Sequence, residues 1–141
     1  MTGLKYMFDT NTVSHLFRQP TGSVAERIAE VGQDNICVSI VVAAEMRYGS
    51  RKKNSVRLID AVEDYLARIE VVPFAPPADQ SYAKIRLALE GGGIPISPND
   101  MLIAAHALSL GMTLVTDNVR EFARVEGLSI ENWVQRKEPT S

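Results

Sequence analysis

Short apolar runs alternate with helix-forming segments along the whole chain, and nothing between the runs signals a tight hairpin. The runs lie at residues 5–8, 35–38, 70–74 and 112–115, with a weaker fifth at 128–130. Runs of this length, rich in branched and aromatic residues, read as buried strands. Neighbouring strands joined through a dozen or more residues, much of it helical, pair in parallel. The pattern therefore implies an α/β fold with a parallel sheet of about four to five strands, covered on both faces and wound by right-handed crossovers.

The segments between the runs carry the matching helix signals. Asn11 or Thr12 is placed to cap a short helix holding Val13, Leu16 and Phe17, which Pro20 stops. Residues 23–31 repeat the pattern, with Val24, Ile28 and Val31 on one face and Gly32 at the end. Ser39 opens a helix to about Arg51 whose first turns, Ile40-Val41-Val42-Ala43-Ala44, are apolar enough to predict burial there. Residues 56–69 are amphipathic, with Leu58, Ile59, Val62, Leu66 and Ile69 at helical spacing. After Pro76-Pro77, residues 78–90 are helical, with Tyr82, Ile85, Leu87 and Leu89 as apolar positions. Gly91-Gly92-Gly93 ends that helix. It is no phosphate loop, because no strand precedes it and no Gly-Lys-Ser/Thr follows. The most apolar helix, residues 101–110, follows Ser97-Pro98-Asn99-Asp100, and Gly111 ends it. Asp117-Asn118 starts a last short helix through Phe122, and Trp133 is placed to pack the C-terminus down.

At 141 residues, without an internal repeat or linker, the chain reads as one domain over residues 1–134 with a polar, loosely held tail over 135–141. A net charge of −2 gives no overall attraction to a polyanion. The charges are nevertheless unevenly spread. Arg47, Arg51, Lys52, Lys53 and Arg57 form a basic cluster, and Arg120, Arg124, Arg136 and Lys137 a looser one. Cys37 is a lone cysteine inside an apolar run, a small buried hydrophobe suited to a reducing cytoplasm. No secretion signal or membrane-length apolar run is evident, which points to a cytoplasmic protein.

Most acidic residues lie on amphipathic faces beside lysine or arginine. Four do not. Asp9 ends the first strand, Glu45 interrupts an apolar helix, Asp100 opens the most apolar helix, and Asp117 follows the fourth strand. Each has a structural explanation on its own: an Asx turn or N-cap for Asp9 and Asp117, a capping box with Ser97 for Asp100, an arginine partner for Glu45. Together they mean more. Asp9 and Asp117 end strands at the same edge of a parallel sheet, where such sheets bind ligands. Burying one unpaired carboxylate costs several kcal/mol or forces it to stay protonated, so gathering four calls for a multivalent cation. All are oxygen donors with no histidine or cysteine at ligand spacing, which selects one or two hard ions such as Mg²⁺ or Mn²⁺. Such ions suit phosphodiester hydrolysis. His106, inside an apolar helix, reads as a core histidine and His15 as a surface one; no serine has the partners of a hydrolase triad.

Four stretches, in order, carry a family likeness: Phe8-Asp9-Thr10-Asn11, Ala44-Glu45-Met46-Arg47-Tyr48-Gly49, Pro98-Asn99-Asp100 before Ile103-Ala104-Ala105-His106-Ala107, and Leu114-Val115-Thr116-Asp117-Asn118 with Arg120-Glu121-Phe122. Over nearly the whole chain they resemble the PIN-domain ribonucleases, and among these the VapC-type toxins of bacterial toxin–antitoxin pairs. The resemblance implies a three-layer α/β/α sandwich and Mg²⁺- or Mn²⁺-dependent RNA cleavage in the cytoplasm. It also implies a small VapB-like antitoxin that blocks the site, a homodimer, and a toxin–antitoxin hetero-oligomer. Asp9, Glu45, Asp100 and Asp117 match the family's acidic metal-binding set, with Asn11, Thr116 and Asn118 as supporting hydrogen bonders. Arg47 and Arg51, on the helix of Glu45, are the first choice for holding the RNA backbone, and Tyr48 for stacking on a base.

Two other readings share the strand-terminal aspartate. An aspartyl-phosphate phosphatase needs a second aspartate two positions on, where this chain has Asn11. A catalytically silent module of the same fold, binding RNA or protein, would have no need of all four acids.

Overall fold

Each of the five apolar runs contributes a strand, and the strands form one parallel sheet in the order β3-β2-β1-β4-β5. The computed structural model describes residues 3–93 and 96–135. In chain order the elements are β1 (Tyr6–Phe8), α1 (Thr10–Arg18), α2 (Ser23–Val31), β2 (Ile36–Ser39), α3 (Ile40–Lys52), α4 (Val56–Arg68), β3 (Glu70–Val72), α5 (Ala78–Gly91), α6 (Pro98–Leu110), β4 (Thr113–Val115), α7 (Val119–Phe122) and β5 (Ile130–Glu131). A 3₁₀ turn, Gln33–Asn35, leads into β2. The expected connection through residues 94 and 95, the cations Arg136 and Lys137 and the rest of the tail lie outside the described residues. Gln135 itself is tied down, its amide donating to Ser23 Oγ at 2.8 Å.

β1 is the centre of the sheet, paired with β2 on one side and β4 on the other, so that Phe8 lies between Val38 and Val115. The crossovers from β1 to β2 to β3 step one way and those that reach β4 and β5 step back, which puts helices on both faces. The fold is the expected α/β/α sandwich. The reversal falls between β1 and β4, and the crevice beyond their carboxyl ends is where such sheets bind ligands.

The core is built around Met7, Phe8, Ile36, Val38, Leu114 and Val115, all at or below 1% exposure. Trp133 closes it, stacking edge-on against Tyr6 and Phe8 with ring centroids 5.0 and 5.3 Å away. Arg27 of α2 lies 5.1 Å from the centre of that indole. Ser39, Ser55 and Ser97 cap α3, α4 and α6 with their hydroxyls, each contributing about 1 kcal/mol. Gly111, at φ +66°, ends α6 in the left-handed conformation that glycine adopts without strain.

Three local expectations are corrected. The cap of α1 is Asp9, not Asn11 or Thr12; the Asp9 carboxylate accepts the Thr12 amide and the helix begins at Thr10. The first turns of α3 are not wholly buried: Ile40 is 42% exposed and Ala44 exposed, because the helix turns only its Val42, Ala43, Met46 and Ser50 stripe inward. Leu87 is 75% exposed, since the inward positions of α5 are Ala78, Ile85 and Leu89 and residue 87 projects away from them.

Candidate functional site

Asp9 follows the last residue of β1 directly, so the sheet fixes its backbone while its side chain looks into the crevice. It is 4% exposed. One carboxylate oxygen accepts the Thr12 amide at 2.9 Å and the other accepts the Thr116 hydroxyl at 2.6 Å. The first bond aims the positive end of the α1 dipole at the carboxylate. Burial nevertheless pushes the Asp9 carboxyl above its ordinary range; the Thr116 and Thr12 bonds pull it back, and the Asp117 charge pushes it up again.

Thr116 stands between Asp9 and the β4–α7 turn. Its hydroxyl also accepts the Asn118 amide at 2.9 Å, and the Asn118 side chain donates to Glu121 at 3.0 Å. The sheet is drawn together at the same point by the Thr12 hydroxyl, which donates to the Val115 carbonyl at 2.9 Å.

A second group gathers where α3 meets the start of α6. Both oxygens of Glu45 are held: the Thr10 hydroxyl donates to one at 2.7 Å and the Asn99 amide to the other at 3.3 Å. Asp100 sits in the first turn of α6, where its own amide donates to Ser97 Oγ at 3.2 Å, so the expected cap is present. Burial raises the Asp100 carboxyl first, its contact with Ser97 lowers it, and the charges of Glu45 and Glu121 raise it further. The Asp117 charge thus acts on Asp9, the charges of Glu45 and Glu121 act on Asp100, and Thr10, the residue next to Asp9, links the two groups by its bond to Glu45. Among the described residues, no three carboxylate, imidazole or thiolate groups converge closely enough to ligate one ion by themselves.

This donor set suits a hydrated hard cation. The groups are carboxylates, two of them carry raised pKa values from burial and like charge, and their side-chain neighbours are hydroxyls and amides. Mg²⁺ in such sites takes one or two carboxylates and keeps several waters.

The remaining expected residues are placed as follows. Asn11 is exposed on α1, and Asp9 takes its hydrogen bonds from Thr12 and Thr116 instead. Arg47 forms a two-pronged pair with Glu63 of α4, with contacts of 3.0 Å, and Arg51 reaches the same carboxylate at 3.5 Å. Tyr48 is 66% exposed, with the Lys52 ammonium 5.8 Å from its ring centre. The sequence reading missed Thr10, Asn99 and Glu121 as members of the site. Thr10 and Asn99 each adjoin a singled-out aspartate, and Glu121 lies in the Arg120-Glu121-Phe122 stretch, so position alone was the available signal.

The PIN domain sequence profile matches residues 6–128. The chain belongs to the PIN-domain family. Within it the chain is of the VapC type. It is 38% identical over 132 residues to ribonuclease VapC2 of Haemophilus influenzae, covering 93% of this chain and 99% of the relative. It is 37% identical over 131 residues to the tRNA(fMet)-specific endonuclease VapC of Shigella flexneri, covering 92% and 98%. The solved DNA-bound VapBC of Salmonella typhimurium contains a chain that superimposes with a TM-score of 0.86 at 35% identity, over 93% of this chain and 99% of that one. Among the described residues, no helix is long and apolar enough to cross a membrane.

Proposed function

We propose that this PIN-domain chain is the toxin of a toxin–antitoxin pair and acts as an Mg²⁺- or Mn²⁺-dependent endoribonuclease. The observation that carries the reading is Asp9: a carboxylate buried at a strand end, oriented by Thr116 and Thr12, beside the Asp117 charge. In this reading Asp9, Asp100, Glu45 and Asp117 hold one or two ions, directly or through water, with Glu121 adding charge at the rim. A bound divalent ion supplies an activated water and neutralises charge on the phosphodiester. The chain's own residues do the positioning. Thr116 and the Thr12 amide fix the Asp9 carboxylate, and Thr10 and Asn99 hold Glu45 in one rotamer. Asn118 joins the Thr116 hydroxyl to Glu121. Arg47, Arg51 and Tyr48 lie on the exposed side of α3, within reach of an RNA strand that enters along this helix.

A groove of ≈ 240 Å³ runs from Thr10 and Glu45 between α1, α3 and α4, walled by Val13, Phe17, Met46 and Val62. We assign it to an apolar segment of a VapB-like antitoxin, which would cover the carboxylates from the side; the VapBC complex of Salmonella supports a partner of this kind. A homodimer of the toxin and a larger toxin–antitoxin assembly complete the proposal.

Because the Shigella relative is named for initiator tRNA, that tRNA is the first substrate to try. Purified protein should cut it with Mn²⁺ or Mg²⁺, not with chelator, and Asp100→Asn should not cut it. RNA ends mapped after brief induction in cells identify the target if initiator tRNA is spared. Equal toxicity of wild type and Asp100→Asn would sink the nuclease reading and leave a silent binding module.

A further inference from the structure

The nuclease reading makes no use of His106, a polar side chain buried in the interior. It is 1% exposed on α6, six residues beyond Asp100. Its Nδ1 lies 2.7 Å from Ser39 Oγ. The Pro73 backbone also acts on the ring as a hydrogen-bond acceptor, since proline has no N–H to donate and only its carbonyl can take part. The Phe74 ring packs on the imidazole edge, with centroids 5.3 Å apart. Ser39 in turn accepts the Val41 amide at 3.1 Å and is the N-cap of α3.

With the Pro73 carbonyl as an acceptor, these contacts favour one proton arrangement. Nε2–H donates to Pro73, so the neutral ring accepts at Nδ1. Ser39 then donates its hydroxyl proton to Nδ1 while its oxygen accepts from Val41. Every polar atom in the chain of bonds is satisfied, as a buried network requires. Burial holds the ring in its neutral form, lowering its pKa, with the Pro73 bond opposing.

We propose that His106 is a positioning residue that clamps α6 to the start of α3, and thereby sets Asp100 of α6 against Glu45 of α3. The two carboxylates sit on separate helices whose main polar tie away from the site is this clamp. Ser39 and Glu45 are six residues apart on one rigid segment, and so are Asp100 and His106 on the other. A tilt of either helix about its far end would open the carboxylate pair. The arm that matters is Ser39–Nδ1; the Pro73 arm anchors the ring to the end of β3 and chooses the tautomer. The inference rests on the metal-dependent reading only for its effect on ion binding.

Two substitutions separate the arms. Asparagine puts a polar atom near the Nδ1 position, whereas glutamine puts one near Nε2. Calorimetric titration with Mn²⁺ should show His106→Asn within about twofold of wild type. His106→Gln should bind about 10-fold more weakly, the scale of losses when an outer hydrogen bond to a metal site is removed, and Ser39→Ala should behave alike. Melting temperatures should fall for all three, and furthest for Ser39→Ala, which loses the Val41 cap as well as the bond to His106. Equal Mn²⁺ affinity for the glutamine and asparagine variants would reduce His106 to packing and overturn the proposal. Nitrogen NMR of the wild-type imidazole gives a reading that needs no metal: it should report the Nε2–H tautomer, and the Nδ1–H form would also overturn it. If wild type binds no Mn²⁺, the nuclease reading fails instead. The clamp is then judged by the tautomer and by hydrogen exchange of the Val41 amide, which should quicken in His106→Gln and not in His106→Asn.

Discussion

Thr116 donates its hydroxyl proton to Asp9 across 2.6 Å, joining the ends of two adjacent strands that are 107 residues apart in sequence. The same oxygen accepts the Asn118 amide, so the hydroxyl cannot turn away without breaking a second bond. Together with the Thr12 amide this side chain holds the rotamer of a buried carboxylate and opposes the rise in its pKa that burial causes.

Replacing Thr116 with valine keeps the shape of the core and removes that donor. The Asp9 carboxyl should rise further in pKa, and cleavage should fall about 10- to 100-fold. The acidic limb of the pH–rate profile should move to higher pH. Thr116→Ser should restore both, and an unchanged profile in the valine variant would show that the bond is idle.

Asp9→Asn should keep the fold, because the amide oxygen still caps α1 through Thr12. It also removes a desolvated carboxylate, so the melting temperature without metal should hold or rise while Mn²⁺ binding and cleavage are lost. The pH dependence follows from the raised carboxyls of Asp9 and Asp100. Above the ordinary carboxylate range (~3.9 for Asp) the unfolded chain has released protons that the folded protein retains. Metal-free stability should therefore fall as pH rises through that window, with the loss complete above the raised values. Mn²⁺ offsets it by about 2.7 kcal/mol at a hundred times its Kd. Thermal melts with and without Mn²⁺ across pH 4 to 8, in wild type and Asp9→Asn, would measure this.

Tyr65 offers a test away from the site. Its ring stacks edge-on with Phe17, centroids 5.4 Å apart, and its hydroxyl is buried with no hydrogen-bond partner among the described residues. An unsatisfied buried polar group costs about 1–3 kcal/mol. Tyr65→Phe should therefore be neutral or stabilising, by about 3 °C in melting temperature for each kcal/mol recovered. A clear drop in the melt would mean that the hydroxyl is satisfied in solution.

Glu63 occupies the two arginines that are the candidates for RNA binding. The Arg47–Glu63 side chains are 46% and 40% exposed, so water screens the pair and Glu63→Gln should barely move the melt. Freed of their partner, Arg47 and Arg51 should hold RNA phosphate more tightly. KM for RNA should fall, with a steeper salt dependence. An unchanged KM would place the RNA path elsewhere on the surface.

Several elements were legible in the chain because their signals are local. The helix over Ser23–Val31 matches its expected bounds, Ser97 caps α6 with Pro98 in its first turn, and Trp133 packs where its size and position implied. The errors share one cause. A run such as Ile40-Val41-Val42-Ala43-Ala44 shows that a helix is apolar, not which stripe the sheet covers. Leu87 was misread for the same reason. Asp9 displaced Asn11 and Thr12 as the cap because the strand's end, set by pairing with β4, decides where the helix begins.

By itself the sequence determined the parallel α/β class and the four acids that stand apart from the amphipathic faces. Spacing and residue type carry those facts, and they hold whatever the chain touches. Only the tertiary structure decided what surrounds the acids: Thr116 and Thr12 on Asp9, Thr10 and Asn99 on Glu45, Glu121 near Asp100, and Glu63 on the arginines. Hydrogen bonds and Coulomb interactions act over a few ångströms of space, and the strand order that brings residues 9 and 116 together is a property of the folded sheet.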